Sequence, residues 1–195
     1  MPLDRIVQLD INGGEPSSSK NYLNIIKNLP PNIKSIRLNT NCSSVITELG
    51  ELSDKGIKVT VTVSFDGTRS VHEYVRWPIK WEKYYQNLLE YKAMNLSELN
   101  LWTTVNALNV CDLDNMFSFA EEHNINHSYA FLDFPDELNI KYENKFTLKA
   151  KHLLKHKKSL PIIEKCAVES NNQKELDIFL EKQNKIRSIN YTFEP

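Results

Sequence analysis

The chain has 195 residues, of which 41% are hydrophobic, and its formal net charge is −1 at pH 7. A chain of this length can bury a substantial core and is most simply one domain, or most of one. The near-zero charge gives no general argument for binding to nucleic acid or to an anionic membrane. No apolar run approaches the roughly 18 residues that cross a bilayer, and the first residues do not form a signal peptide, which favours a cytoplasmic protein.

Strand patterns alternate with helix patterns through the first two-thirds of the chain. The predicted strands are residues 6–11, 33–38, 57–65, 99–105 and about 127–132. Four helices are predicted between these strands. The first ends near residue 28, and the others run from 43 or 44 to 56, from 78 to about 94, and from about 112 to 123. Residues 68–77 are predicted to be a connection, with Pro78 in the first turn of the helix that follows. This alternation favours a parallel sheet with right-handed crossovers.

The pattern changes after Pro135. Helical periods are found at about 145–157 and 173–189, and the last residues, 191–195, have a strand-like composition. We therefore predict a βα core over residues 1–135 and a mainly helical C-terminal extension over residues 136–195.

Polar and apolar side chains alternate along each predicted strand, so each strand has one polar face. The polar positions are Gln8, Asp10, Asn12, Arg37, Asn39, Asn41, Thr60, Thr62, Ser64, Asp66, Asn100, Thr104 and Asn106, with Trp102 among them. The apolar positions should meet the helices. A closed barrel would be filled with Val, Ile and Leu, so a polar face favours an open or partial barrel. An antiparallel sheet with one solvent-exposed face is the alternative.

Candidate binding residues follow the strands at their C-terminal ends, where parallel α/β folds bind ligands. They are Gly13, Gly14, Glu15, Pro16, Asn39, Asn41, Ser64, Asp66 and Asn106. Glycines allow a sharp turn, and carboxylates and amides accept and donate hydrogen bonds. This chemistry suits an amino acid or a ribose. The three cysteines, Cys42, Cys111 and Cys166, are far apart; we predict free thiols and no metal site built from cysteine.

These motifs resemble the radical S-adenosylmethionine enzymes, and within them the branch with a C-terminal twitch domain. The stretch 13–16 is similar to the glycine-rich motif of that family, and 39–41 to its threonine-asparagine strand end. The stretch 64–68, followed by His72 and Arg76, is similar to its Ser-x-Asp-Gly motif. Residues 74–83 look characteristic of the twitch branch. The resemblance covers residues 6–135 well and the remainder loosely.

The resemblance implies a fold and a set of roles. The fold is a partial (β/α)6 TIM-like barrel of parallel strands that lacks its first strand and cluster loop. Glu15 would receive the amino group of S-adenosylmethionine, Ser64 and Asp66 would lie near the ribose, and Arg76 would lie near the methionine carboxylate. Residues 136–195 would hold the last barrel helix and the start of a twitch-like region. Arg76 could instead pair with an acid such as Glu73, His72 could be a surface residue, and Trp77 and Trp81 could pack on one helical face.

The sequence departs from the family at the iron-sulfur site. The Cys-x-x-x-Cys-x-x-Cys loop that holds the family's [4Fe-4S] cluster is absent. We therefore expect a fragment that is inactive alone, because nothing would hold the iron. An auxiliary cluster is not expected. The intact enzyme would also need an electron donor protein and an unidentified substrate, for which a peptide is a candidate.

Three functions compete at this stage. The first is the central portion of a radical enzyme that forms a 5′-deoxyadenosyl radical. The second is a degenerate barrel that serves as a non-catalytic binding or scaffold module. The third is an unrelated α/β enzyme whose glycine turn holds a phosphate, which Glu15 would repel.

Overall fold

The computed structural model describes residues 5–188 and has a mixed α/β architecture. Its strands are β1 Gln8–Ile11, β2 Ser35–Thr40, β3 Lys58–Ser64, β4 Glu98–Val105, β5 Asn126–Phe131, β6 Tyr142–Glu143 and β7 Glu169–Asn171. Its α-helices are α1 Lys20–Lys27, α2 Glu48–Asp54, α3 Arg69–Val75, α4 Trp81–Ala93, α5 Leu113–Glu122, α6 Lys145–Leu153, α7 Leu160–Ile163 and α8 Gln173–Arg187. The strand-like stretch 191–195 lies outside the described residues.

The first five strands form one sheet in the order β1-β2-β3-β4-β5. The strands β1 to β4 pair in parallel, with Ile36 of β2 opposite Val59 of β3 and Val63 of β3 opposite Leu101 of β4. The predicted parallel arrangement is confirmed, and the antiparallel alternative is wrong for these strands. The finer expectation, a partial six-stranded barrel, stays a prediction.

Several element boundaries differ from those predicted. Residues 69–75, predicted to be a connection, form α3, because Val71, Tyr74 and Val75 have helical spacing and two of them are buried. Helix α4 begins at Trp81 rather than Pro78. Trp77 lies outside this helix and is 49% exposed, so the alternative in which Trp77 and Trp81 share one helical face is wrong. Helix α2 begins at Glu48, later than predicted. The two-stranded sheet of β6 and β7 was not predicted.

The chain divides into two compact units. The first contains, within the described range, residues 5–65, 79–102 and 125–128, and the second contains residues 66–78, 103–124 and 129–188. The predicted domain boundary at residue 135 stays a prediction.

The first unit has the predicted alternation of faces. Six apolar strand residues are no more than 1% exposed: Ile36, Leu38, Val59, Val61, Val63 and Leu101. Full burial of such side chains stabilises the fold by about 1.5–3 kcal/mol each. The intervening residues of β2, Arg37 and Asn39, are exposed. Val7 departs from the pattern, since it precedes β1 and is 58% exposed.

The second unit has its own apolar core and helix caps. The predicted buried face of α5 is confirmed, with Leu113, Met116, Phe117 and Ala120 all nearly inaccessible. Helix α6 begins with a capping box, in which Asn144 and Thr147 satisfy each other's main-chain N–H groups. None of the helices formed by the described residues has the length and apolar character needed to span a membrane.

Candidate functional site

The main chain of the turn that follows β1 is accessible. Gly13 has φ of 87° and Gly14 has φ of 62°, which favour glycine, and a Cβ atom at either position would meet nothing within 4 Å. Both residues are exposed. Backbone conformation, not crowding, therefore explains why glycine stands here, and the space beside the turn is free for a ligand.

Glu15 is fixed by four hydrogen-bond donors. Its Oε1 atom accepts from Ser17 N at 3.1 Å, Ser17 Oγ at 2.7 Å and Thr40 Oγ1 at 2.7 Å. Its Oε2 atom accepts from Asn41 N at 2.6 Å. Glu15 also caps the short 3-10 helix Pro16–Ser18, in which buried Pro16 occupies the first turn. Oε1 already receives three donors and Oε2 only one, so Oε2 can still accept a hydrogen bond from a ligand.

The end of β2 carries two predicted amide side chains, and the main chain of Asn41 contacts Glu15. Asn39 Nδ2 donates to Asn12 Oδ1 at 2.8 Å, and Asn41 Oδ1 accepts from Ser43 N at 2.9 Å. Within residues 5–188, the amide nitrogen of Asn41 has no hydrogen-bond partner. The structure thus brings together Glu15 and Asn41, two of the predicted residues, whereas Asn39 pairs with Asn12.

The polar face of the sheet in the first unit is accessible. Asp10 lies opposite Arg37, and Ser64 lies opposite Trp102, which is 42% exposed. Neither Ser64 Oγ nor the Arg37 guanidinium has a partner among the described residues. Most parallel sheets are covered on both faces, whereas this face carries accessible polar groups. The accessible polar groups are consistent with the predicted hydrophilic face.

Asp66 and Arg76, both in the second unit, bind each other. Arg76 Nε donates to Asp66 Oδ2 at 2.7 Å, and Arg76 Nη2 lies 2.5 Å from the same oxygen. Asp66 Oδ1 accepts from Thr104 N at 2.8 Å. The partner of Arg76 is therefore Asp66, rather than the alternative partner Glu73. A ligand group at either side chain has to displace or share this ion pair.

The turn after Asp66 is packed closely against α3. Gly67 has φ of 155°, and a Cβ atom there would lie 2.6 Å from Val71 Cγ1 and 2.8 Å from His72 N. Thr68 Oγ1 donates to Asp112 Oδ1 at 3.0 Å, and Thr68 N also donates to that carboxylate. His72 is 0% exposed, so the alternative of a surface histidine is wrong. Burial, followed by the charge of Arg76, lowers the pKa of His72 from 6.5 to about 4.

Asn106 is 7% exposed and is occupied by its own loop. Its Nδ2 atom donates to Thr104 O, and its Oδ1 atom accepts from Leu108 N, each at 2.9 Å. Its main-chain N–H donates to Asn109 Oδ1. These bonds give Asn106 a role in shaping the turn after β4. Its predicted role in cofactor binding stays a prediction.

Two supporting residues were missed from the sequence. Thr40 was noted only as part of the strand end, yet its hydroxyl is a direct donor to Glu15. Asp112 was placed at a helix start, yet it holds Thr68, 44 residues earlier in the chain. Only the first had a sequence signal, because Thr40 lies between two predicted residues.

The cysteines do not form a metal site. Cys42 is fully buried and donates to Tyr84 O at 3.8 Å. Burial raises the pKa of Cys42, and it raises the pKa of Cys111 and of Cys166 to about 11. In the part of the chain that is described, no three His, Cys, Asp or Glu side chains are grouped to hold a metal ion. The residues present therefore do not fit a [4Fe-4S] cluster.

No protein-family model matches the sequence, and no curated protein matches it.

Proposed function

We propose that this chain binds S-adenosylmethionine as the central portion of a radical enzyme of the twitch-domain branch. The enzyme would cleave the ligand reductively to a 5′-deoxyadenosyl radical. That reaction needs a [4Fe-4S] cluster, which the described residues do not fit. The proposal for these residues is therefore limited to holding the ligand, and the cluster would be held elsewhere in the intact enzyme.

The environment of Glu15 is the observation that carries this proposal. Four donors fix the carboxylate, while Oε2 keeps a free lone pair beside a turn with open backbone. An ammonium group donates well to such a fixed carboxylate, because charge-assisted hydrogen bonds are short and strong. The free amide nitrogen of Asn41 offers a donor for a carboxylate or carbonyl oxygen next to it.

The second unit supports the proposal through chemistry alone. By the resemblance, Asp66 accepts from ribose hydroxyls and Arg76 binds the methionine carboxylate with its planar fork. Because the two side chains bind each other, a ligand would have to take over part of their hydrogen bonding. Asn106 and Ser64 complete the set of residues to which we assign ligand contacts.

Calorimetry on the isolated chain tests the proposal. The chain should bind S-adenosylmethionine more tightly than 5′-methylthioadenosine, which lacks the amino-acid part. Replacing Glu15 by Gln should weaken S-adenosylmethionine binding by about tenfold or more, as expected for a lost charge-assisted bond, and leave the analogue unaffected. Glu51→Gln, an exposed change in α2, is the matched control. Equal affinity for the two ligands, or no binding of either, would contradict the proposal.

A non-catalytic binding or scaffold module is the second candidate. Such a module would need no iron ligands, and within residues 5–188 no three side chains are grouped to hold a metal ion. The two candidates differ in one product: after anaerobic reconstitution with iron and sulfide and addition of a reductant, the intact enzyme forms 5′-deoxyadenosine and a scaffold forms none. The catalytic proposal also includes a cytoplasmic location, an electron donor protein and a substrate for which a peptide is a candidate.

A further inference from the structure

A groove of about 370 Å³ lies in the first unit, at the end of the sheet where β2 and β3 begin. Glu15 contacts the opposite end of β2, so the groove is separate from the site described above. A volume of this order falls within the range of small-molecule pockets.

Aliphatic side chains form the floor of the groove. Ile26 of α1 is 1% exposed and Ile33, just before β2, is 5% exposed. Leu29, Leu52 and Ile57 are half-buried around them. Partly exposed aliphatic side chains around a buried floor favour a ligand with a hydrocarbon part.

The charged residues that line the groove are all lysines: Lys27, Lys34 and Lys55. Lys27 pairs with Glu48, its Nζ atom lying 3.1 Å from Oε1. The ammonium groups of Lys34 and Lys55 have no partner among the described residues. Lys55 follows the C-terminus of α2, where a cation complements the helix dipole. Lys34 is not at a helix end, so the helix dipole does not explain its position.

We propose that this groove binds a small amphipathic anion, namely an aliphatic or aromatic carboxylate. The hydrocarbon part contacts Ile26, Ile33 and Leu52, and the carboxylate meets Lys34 and Lys55. An inorganic anion does not fit as well, because it would leave the aliphatic side chains of the groove without an apolar partner. The inference does not depend on S-adenosylmethionine binding.

Octanoate and 1-octanol, which share a hydrocarbon chain and differ in charge, are suitable probes by calorimetry or NMR. We expect octanoate to bind at least about fivefold more tightly than octanol, with a preference that falls as salt screens the lysines. Lys34→Glu should weaken octanoate binding by about fivefold or more and leave octanol binding unchanged. Lys92→Glu, which makes the same charge change on α4, outside the groove lining, should affect neither.

Three results would overturn the proposal. They are the absence of octanoate binding up to about 10 mM, equal binding of octanoate and octanol, and equal weakening by the two charge reversals. A groove covered by a second copy of the chain would give the first result, together with a dimer in sedimentation that Lys34→Glu dissociates. Thermal unfolding of each variant is the control for folding, and the midpoint should match that of the original chain because each changed lysine is exposed.

Discussion

Asp66 and Arg76 form an ion pair in which one carboxylate oxygen receives two guanidinium contacts while the other receives the main-chain N–H of Thr104. The Asp66 side chain is 6% exposed and that of Arg76 is 30% exposed. Loss of either partner therefore has unequal consequences, since Asp66 is the more completely removed from water.

We predict that Arg76→Ala lowers the free energy of unfolding by about 2 kcal/mol, because it leaves a buried carboxylate without its cation. Asp66→Asn should cost less, about 1 kcal/mol, because the freed guanidinium reaches solvent. Urea denaturation measures both. Arg37→Ala, at an exposed arginine that has no partner among residues 5–188, should change stability by less than about 0.5 kcal/mol. A larger loss in Asp66→Asn than in Arg76→Ala would contradict the asymmetry.

Gly67 should be intolerant of any side chain. Gly67→Ala is expected to destabilise the protein by more than about 2 kcal/mol, because the new methyl group overlaps Val71 and the main chain of His72. Gly56→Ala is the control: Gly56 also has positive φ, of 87°, but open space around it. That variant should cost only about 1 kcal/mol, the penalty for the left-handed conformation. Similar costs at both positions in thermal unfolding would show that crowding at Gly67 is unimportant.

Glu15 should contribute to stability even without a ligand. In Glu15→Gln, either orientation of the amide places an NH2 group against a donor, which should cost about 2 kcal/mol. Thr40→Val keeps the shape but removes one of the donors to Glu15, and a loss of about 1–2 kcal/mol is expected. Unchanged urea midpoints in both variants would show that the network around Glu15 is not structural.

His72 should make the fold sensitive to mild acid. Its folded pKa of about 4 lies below 6.5, so the unfolded chain binds a proton first as the pH falls. Its contribution is complete above pH 6.5 and is lost on the way to pH 4, by roughly 3 kcal/mol. In His72→Gln the decline of stability between these pH values should be smaller, whereas His152→Gln, at an exposed histidine, should keep the full decline. Parallel pH profiles for the original chain and His72→Gln would refute this.

The strands were predictable because apolar residues that become buried occur at every second position along them. In β3, β-branched residues at every second position predicted residues 57–65, and the strand is Lys58–Ser64. The end of β2 and the turn at Gly13 were predictable for the same kind of reason: a local pattern, such as two adjacent glycines, reflects a local conformation.

The tertiary partners were not predictable. Asp66 and Arg76 were each identified as site residues, but their pairing depends on how the turn at Gly67 directs the chain into α3. Helix α3 itself has seven residues, too few for its periodicity to outweigh the neighbouring turn residues. The contact of Thr68 with Asp112 joins positions 44 residues apart, and no local pattern reports it.

The pairing of β2 with β3 sets Leu38 opposite Val61, so that both side chains enter the core. Sliding β2 by a single residue would invert the strand: Leu38 and Ile36 would turn to water, while a guanidinium would enter hydrocarbon. The two aliphatic side chains alone would forfeit roughly 3–6 kcal/mol, a large share of the stability of a typical domain. Misaligned folding intermediates should therefore be short-lived, because the hydrophobic effect favours the register that buries these aliphatic side chains.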